Sequence, residues 1–579
     1  MSFRHKSAEK GPEGQNGPVN ELGFFRRHAP GNYLLLSFAG GLLFAAALPP
    51  LNLWFLGFFA LAPLVWCASQ LSWGKAAFCG WVWGLGWALF AFQFLREIEW
   101  IVPYLLAPVM GIWPAVAGAL ISCVGRNLLF PAKVQAEPFE TRKNWLKERV
   151  PWYRVLLFVL TSAVIYTLVE WTRSRLFTWN DLSVTQWRHE TFIQICSVTG
   201  SYGVLFLLAL TGSAAAALPF RKRWCTFLGV LVLLFGNSVW GFMQKELIPA
   251  RFAEARKWRP LLIQGDLSQR RHAGEEQFRE ALKVYTELTA AAAKKFPEAD
   301  VIVWPESAVP VPLRSAHPWS REYAAAVRQL IAESRKPMLI GTLDFAFPRP
   351  LETAPGFTNS ALYYDKEGTL RYKYDKIHRV PYGEYIPFRK YLPEFLIRMV
   401  DMGRDLTPGV NWTPLAIPDG PRVSVAICYE GVFGYLTREF ARQGANVLLV
   451  LSNDAWYPRS SEPEQHLANA VMRAVETGLP MVRCGNNGGS LLVWPSGHVS
   501  HGIRPIGGDV TKPWYLLRGR GAGVVEVPYF DNPEPTFYVK HGEWLIGVFF
   551  VFFFAFCGAA AANHLKFRKL LPSPSRKQG

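Results

Sequence analysis

Long apolar stretches alternate with short polar connections over the first 245 residues, and one further apolar stretch lies near the C-terminal end. A helix that crosses a bilayer needs about 20 mostly apolar residues. The pattern therefore predicts about eight membrane spans, a seven-span bundle over residues 34–245 and a final helix over 540–562. The stretches cover residues 34–49, 51–68, 76–94, 102–124, 155–171, 200–218, 225–243 and 543–562.

Residues 256–532, between the seventh and eighth predicted spans, change to short β-rich runs that alternate with amphipathic helical ones. Strands are predicted at residues 260–264, 301–304, 338–342, 361–364, 423–427, 447–451 and 490–494, and helices at 321–334, 432–443 and 465–477. Alternating strands and helices are typical of an α/β domain. A segment of about 275 residues is long enough to bury a large core.

Composition agrees with this division. Half of the residues are hydrophobic, only 18% are charged, and the mean hydropathy is +0.10. The net charge of +18 comes largely from Lys and Arg in alternate loops, which the positive-inside rule assigns to the cytoplasm. The N-terminal extension, residues 1–33, and the tail, residues 563–579, are then cytoplasmic, and residues 256–532 lie outside. Because the positive charge reflects topology, no nucleic-acid partner is expected.

Three residues with acyl-transfer chemistry stand at or near predicted strand ends, where α/β sheets place their sites. Glu306 follows Val-Ile-Val-Trp-Pro, Cys428 follows Val-Ser-Val-Ala-Ile, and Lys376 lies in Tyr-Lys-Tyr-Asp-Lys-Ile. A thiol, a carboxylate and an ammonium can serve as nucleophile, general base and oxyanion stabiliser. Each alone has a plainer explanation: an inert packed Cys, a helix-capping Glu and a solvated Lys. Together in one domain they predict a site.

The eight cysteines are too few for a disulfide scaffold in a chain of 579 residues. Only Cys428 and Cys484 have polar surroundings. Cys484 is most simply a small residue packed at a strand end, with a second reactive thiol or a disulfide to Cys428 as alternatives. His498 and His501 have no Cys or carboxylate pair nearby, so the sequence predicts no metal site, and no cofactor is expected.

Several motifs resemble those of one known family. Trp304-Pro305-Glu306-Ser307, Lys376 with the run Val-Pro-Tyr-Gly-Glu-Tyr-Ile-Pro at 380–387, and Ile427-Cys428-Tyr429-Glu430 are similar to the Glu, Lys and Cys motifs of the nitrilase superfamily. The extended second motif is closer to its membrane-bound branch, the apolipoprotein N-acyltransferases. Further similarities are Ser-Asn-Asp-Ala-Trp at 452–456, Asn-Asn-Gly at 486–488 and Thr-Gly-Ser-Tyr-Gly-Val at 199–204.

The resemblance implies a multi-pass α-helical membrane bundle that carries an α/β nitrilase-like αββα sandwich on the periplasmic side of a bacterial inner membrane. It also implies an enzyme that takes an acyl chain from a phospholipid as a Cys thioester. The acceptor would be the α-amine of the diacylglyceryl-modified N-terminal Cys of an apolipoprotein. Cys428 would be the nucleophile, Glu306 the base and Lys376 the oxyanion stabiliser, with Glu384, Glu430 and Tyr429 in support.

Two other functions are alternatives to the acyltransferase. A membrane-anchored amidohydrolase would form the same thioester and discharge it to water, but a hydrolase of soluble substrates has no evident need of eight spans. A membrane scaffold with a degenerate nitrilase-like domain would not be expected to keep Glu306, Lys376 and Cys428 together.

Overall fold

The computed structural model describes residues 30–130, 134, 139–220, 223–269, 274–346, 356–394, 397, 405–457, 460–500, 503 and 518–570. The predictions for most of the N-terminal extension, for residues 571–579 of the tail and for His501 lie outside the described residues. The described chain forms a helical region followed by a domain of mixed sheets and helices, and a last helix, Trp544–Leu570, ends it.

The helical region has a helix in each of its predicted apolar stretches. Its helices are Pro30–Ala47, Ala62–Gln70, Trp73–Ala91, Val102–Met110, Ile112–Leu129, Phe139–Glu148, Trp152–Leu176, Glu190–Ile193, Cys196–Thr199, Ser201–Ala216 and Arg223–Arg251. Of these, Phe139–Glu148, Glu190–Ile193 and Cys196–Thr199 lie between the predicted stretches. Three described helical stretches are long and apolar enough to cross a membrane, and a fourth is added if a pair bent by 119° counts as one span. Three further apolar helices, Gly31–Ala47, Trp54–Gln70 and Trp544–Ala559, are shorter than a span requires, so the eight-span topology stays a prediction.

Glycines let several of these helices pack at backbone distance. A Cβ on Gly41 would lie 2.0 Å from the carbonyl oxygen of Trp83, and one on Gly80 would lie 2.1 Å from that of Pro114. Small residues allow such approach where lipid offers helices no hydrophobic drive to associate. The helices Pro30–Ala47, Trp73–Ala91 and Ile112–Leu129 consequently form a tightly packed layer.

The second domain contains two central sheets. Its strands are β1 Arg256–Trp258, β2 Pro260–Gln264, β3 Val301–Val309, β4 Met338–Phe345, β5 Phe357–Tyr364, β6 Leu370–Asp375, β7 Leu415–Ala416, β8 Arg422–Ile427, β9 Val447–Ser452, β10 Met481–Gly485, β11 Leu491–Val493, β12 Gly521–Val524 and β13 Val527–Tyr529. One sheet has the order β12-β2-β3-β4-β5-β6 and the other β11-β10-β9-β8-β7, while β1 pairs with β13. In the sheets, β2, β3 and β4 are parallel, as are β8, β9 and β10.

The sheets pack face to face with helices on both outer sides, which gives the αββα sandwich. Side chains alternate along the strands: Leu262 and Val303 join the core between the sheets, whereas Ile263 and Trp304 pack under the outer helices. Glu275–Lys295 and Pro318–Ser334 cover the six-stranded sheet, and Gly434–Arg442 and Glu462–Thr477 cover the other. All seven predicted strands coincide with observed ones. The seven predicted strands did not include β6, whose charged residues interrupt the apolar pattern, β10, or the short strands β1, β7, β12 and β13.

The helix Glu462–Thr477 also holds the sandwich against the helical region. The Gln465 side chain accepts hydrogen bonds from Trp179 Nε1 at 3.0 Å and Asn180 Nδ2 at 2.7 Å, and it donates to the carbonyl oxygens of Pro49 at 3.2 Å and Ala91 at 3.1 Å. All of these bonds are buried.

Candidate active site

Glu306 lies in an irregular part of β3. The register between β3 and β4 shifts between Trp304 and Val309, and Ser307 has a φ of +55°. Gly341 on β4 makes room for this bend, because a Cβ there would lie 2.2 Å from the Pro305 carbonyl oxygen. The bend leaves the Glu306 side chain buried at 7% exposure beside the end of β6.

Cys428 is the first residue after β8 and has a φ of +53°, in the left-handed region that residues other than Gly seldom adopt. A nucleophile on such a sharp turn after a strand projects from the sheet edge. Cys428 is half-buried, and its thiol lies close enough to the Glu306 carboxyl for each group to shift the pKa of the other. Burial and the Glu306 charge raise the pKa of the thiol well above its ordinary value, although Lys376 opposes them.

Lys376 directly follows β6 and is 2% exposed. Its Nζ lies 2.9 Å from Glu384 Oε1 and 3.7 Å from Glu306 Oε1. Burial would lower the pKa of the ammonium, but the Glu384 and Glu306 carboxylates outweigh it and raise the pKa. Lys376 therefore stays positively charged next to the thiol.

The pKa of Glu306 is raised, which is the shift that a general base at neutral pH requires. Burial raises the pKa of its carboxyl, Lys376 lowers it and Glu384 raises it further, with a net increase. Asn359 on β5 joins the two carboxylates, since its Nδ2 donates to Glu306 Oε1 at 2.7 Å and to Glu384 Oε1 at 3.0 Å. The sequence analysis missed Asn359. The signal was an amide residue inside a strand, where Asn is otherwise depleted.

Glu430 ties the ends of two strands together. Its Oε1 accepts from the backbone N–H of Ile377 at 2.7 Å and of His378 at 2.9 Å, and its Oε2 accepts from the N–H of Ile427 at 2.8 Å. Tyr374 donates its hydroxyl to the same carboxylate. Because Ile377 and Ile427 adjoin Lys376 and Cys428 in the chain, Glu430 sets the spacing between those two residues.

Aromatic rings from both regions of the molecule meet next to Tyr429, the residue that follows Cys428. Trp179 stacks on Tyr429 with ring centroids 6.0 Å apart, and Phe94 contacts Trp179 and Tyr457 at 5.6 and 5.2 Å. The Tyr429 hydroxyl donates to the Thr178 carbonyl oxygen at 3.0 Å. We call Phe94, Trp179, Tyr429 and Tyr457 the aromatic cluster. It gives the site an apolar wall on the side of the helical region.

A buried polar group lies behind Cys428. His466 Nε2 is 3.1 Å from the Cys428 carbonyl oxygen, and its Nδ1 is 3.0 Å from Asp454 Oδ1. Burial and the charge of Arg483 lower the pKa of His466, although Asp454 opposes them. Cys428, Asp454 and His466 present possible metal-ligand atoms within 4.8 Å of one another. However, Arg483 already supplies a cation 3.3 Å from Asp454 Oδ2, and both ring nitrogens of His466 have partners.

The structure thus brings Glu306, Lys376 and Cys428 together with Glu384, Glu430 and Tyr429, while their catalytic roles stay predictions. Cys484 is fully buried in β10, where its thiol faces the carbonyl oxygen of Val303 at 3.4 Å. Neither Cys428 nor Cys484 is in a disulfide. The Nδ1 atom of His498 lies 2.9 Å from Glu190 Oε1, so His498 has a partner that is not one of the site residues.

Both the helical region and the sandwich match known protein families. Residues 266–504 match the carbon-nitrogen hydrolase family, and residues 40–214 match the apolipoprotein N-acyltransferase N-terminal domain. The chain is 29% identical over 549 residues to an apolipoprotein N-acyltransferase of Geobacter metallireducens, covering 92% of this chain and 95% of that protein. It is 28% identical over 498 residues to one of Allorhizobium ampelinum, covering 81% and 87%.

Among solved structures, a carbon-nitrogen hydrolase from Helicobacter pylori G27 is 16% identical, with a TM-score of 0.33 over 47% of this chain and 89% of that one. The sandwich and its matched family define a nitrilase-type domain joined to a membrane helical region. The N-terminal region matches the N-terminal domain of the apolipoprotein N-acyltransferases, and relatives of that name align with most of the chain. The chain therefore belongs to the apolipoprotein N-acyltransferase family.

Proposed function

We propose that this protein transfers an acyl chain from a phospholipid, through a thioester on Cys428, to the α-amine of a diacylglyceryl-modified N-terminal Cys of an apolipoprotein. Family membership supports acyltransferase activity. The observation that carries the mechanism is the position of Lys376, a buried ammonium in contact with the Glu306 and Glu384 carboxylates, close enough to the Cys428 thiol for its charge to lower the pKa of that thiol. This arrangement holds base, nucleophile and positive charge in one place.

Acylation would begin with transfer of the thiol proton to Glu306. Because the pKa of Cys428 is raised, little thiolate exists at rest, and a base in contact with the thiol is needed. The thiolate attacks the ester carbonyl carbon of the phospholipid, and the Lys376 ammonium stabilises the oxyanion. When the tetrahedral intermediate collapses, Glu306 returns its proton to the departing lysophospholipid oxygen, and the acyl thioester stays on Cys428.

In the second half-reaction, the acyl group would pass from Cys428 to the acceptor amine. The neutral α-amine of the acceptor attacks the thioester carbonyl, and Glu306 takes a proton from the nitrogen. The Cys428 thiolate leaves and regains a proton from Glu306, and the product is an amide. The aromatic cluster supports this second half-reaction, since an apolar wall beside the thiol limits access of water to the thioester. Two substrates that bind in turn give ping-pong kinetics.

The proposed location is the bacterial inner membrane, with the sandwich on the periplasmic side. Both substrates are lipids anchored in a bilayer. Contacts between Tyr429 and Thr178 and between Gln465 and Ala91 place the nucleophile next to the helical region, which suits substrates that arrive from the membrane.

Mass spectrometry of the purified protein after incubation with phospholipid tests this proposal. We expect one acyl group on Cys428, absent from Cys428→Ser and from Glu306→Gln. Cys484→Ser is the matched control, because Cys484 is buried between the sheets, and it should acylate like the wild type. An adduct on Cys484 that survives in Cys428→Ser would refute the nucleophile assignment.

A second measurement separates the transferase from an amidohydrolase. The acyl-enzyme should persist in detergent without acceptor and should be discharged by a diacylglyceryl peptide with a free terminal amine. Discharge should slow as the pH falls below the pKa of an α-amine, about 8, because only the neutral amine attacks. Equal decay with and without the lipopeptide, with release of free fatty acid, would favour the hydrolase.

A further inference from the structure

Cys428 has a backbone conformation that is unfavourable for any residue other than glycine. A φ of +53° is uncommon for a residue with a Cβ, and it persists only where the surroundings hold it. The peptide unit between Cys428 and Tyr429 belongs to this turn. Its carbonyl oxygen contacts His466 Nε2 at 3.1 Å, in the buried group behind the nucleophile.

The partners of His466 determine where its protons lie. A carbonyl oxygen only accepts hydrogen bonds, so a proton on Nε2 is required for this contact, whereas a bare Nε2 would set one lone pair against another. Nδ1 lies 3.0 Å from Asp454 Oδ1 and 3.4 Å from an N–H group of Arg483. The neutral ring can accept from Arg483, and the charged ring can donate to Asp454. In both of these states Nε2 carries the proton that the Cys428 carbonyl oxygen requires. A neutral ring with its proton on Nδ1 would donate to Asp454 instead and would lose the contact with Cys428.

We propose that His466 is a positioning residue that holds the Cys428 carbonyl oxygen and thereby aims the thiol at Glu306. This inference rests on the proposed role of Cys428 as nucleophile. Since a trans peptide unit is planar, its N–H points opposite to its carbonyl oxygen. The contact with His466 therefore also directs the Tyr429 N–H away from the buried group.

Other groups around His466 support positioning over metal binding or proton transfer. Arg483 lies next to Asp454, and Glu462 lies 3.7 Å from Nδ1. Burial and the Asp454 charge raise the pKa of Glu462 well above its ordinary value, so this carboxyl adds little negative charge for a cation. His466, Asp454, Glu462 and Arg483 are all at most 3% exposed. Acceptor amines and water do not reach this ring.

The test measures single-turnover acylation of Cys428 in the full-length protein, by mass spectrometry, for variants of one position. Gln places an N–H close to where Nε2 stands, whereas Asn is one methylene shorter and Leu has no donor. We expect His466→Gln to acylate within about tenfold of the wild type, and His466→Leu and His466→Asn to be slower by about 100-fold, the scale of a misplaced reacting group. The phospholipid concentration that gives half-maximal rate should not change.

Two controls separate positioning from loss of stability. Asn469, on the same helix, is buried and bonds to Asn180, so Asn469→Leu removes a comparable polar group without touching Cys428. It should lower the Tm but keep the acylation rate. The acid limb of the pH–rate profile should lie at the same pH in the wild type and in His466→Gln, since Nε2 carries a proton in both states that keep the contact with Cys428.

Three results would overturn the inference: His466→Leu acylating at the wild-type rate, His466→Gln being as slow as His466→Asn, or loss of the acid limb in His466→Gln. If His466→Leu does not fold, the Gln and Asn variants decide alone, because they differ only in reach. Absence of any adduct in the wild type would remove the proposed function itself, whereas a normal adduct in all His466 variants would remove only the positioning role.

Discussion

Lys376 shares a buried pocket with Glu306 and Glu384, and the charge balance of the site depends on it. The sequence suggested Lys376 because the residue stands in a motif. The motif resemblance gave Glu384 a supporting role, but it did not reveal that this carboxylate would lie 2.9 Å from the Lys376 Nζ, or that Asn359 would join both carboxylates. Such contacts cross between separate segments, and no local pattern specifies them.

Replacing Lys376 with Met should slow acylation by about 100-fold or more, the scale of losing one oxyanion donor. It should also move the acid limb of the pH–rate profile to higher pH. The reason is that Lys376 lowers the pKa of Glu306, and without it Glu384 raises that pKa unopposed. Single-turnover acylation between pH 5 and 9 measures both effects.

Lys373→Met is the control for this substitution. Lys373 is also a buried lysine on β6, but it pairs with Asp344 and Asp375 outside the site. Its loss should leave the acid limb in place. A Lys376→Met variant with an unshifted limb and less than a tenfold fall in rate would show that the ammonium does not act on Glu306.

At the scale of elements, strand ends meet because side chains join them. β6 and β8 belong to different sheets, yet the Glu430 carboxylate accepts hydrogen bonds from the chain just after β6 and from the last residue of β8. A Gln offers one acceptor oxygen, and its NH₂ group would face backbone donors. Glu430→Gln should therefore destabilise the fold and slow acylation.

The pH dependence of stability tests the Glu430 contact. Burial raises the pKa of this carboxyl from 4.5 to about 7. The folded state then binds the proton more tightly than the unfolded state does, so the stabilisation is complete below pH 4.5 and is lost as the pH rises through about 7. The stability advantage of the wild type over Glu430→Gln should shrink by up to about 3 kcal/mol across this window. Thermal unfolding in detergent at pH 5 and 7.5 measures it; a constant difference would contradict the assignment.

The helix Glu462–Thr477 links the two regions of the molecule through Gln465. Gln465→Leu would leave the Trp179 and Asn180 donors and the Pro49 and Ala91 carbonyl oxygens without this partner. Unpaired buried polar groups cost about 1–3 kcal/mol each, so the Tm should fall by several degrees. The exposed Gln443→Leu is the control and should leave the Tm unchanged within about one degree. Equal Tm values for the two variants would mean that the contact does not hold the regions together.

For the whole molecule, the distribution of Lys and Arg predicts that the sandwich and the loop containing Lys75 lie on opposite sides of the membrane. A membrane-impermeant thiol reagent applied to intact spheroplasts should label a Cys introduced at Lys366, which is 69% exposed on the sandwich. It should not label one introduced at Lys75 until the membrane is permeabilised. Peptide mapping distinguishes these sites from native cysteines. The reverse pattern would overturn the topology.

The sequence by itself determined the division into a helical membrane region and an α/β domain, the seven strands with apolar runs, and the three residues that the motifs mark. The division and the strands follow from hydropathy and periodicity, and the site residues, with Glu384, Glu430 and Tyr429 in support, follow from short motifs; all of these are local properties. Only the tertiary structure decided that Asn359 and His466 join the site, that Glu384 contacts Lys376, and that Gln465 joins the two regions. The physical reason is that the partners are separated by up to several hundred residues, and their hydrogen bonds exist only when folding has buried them together.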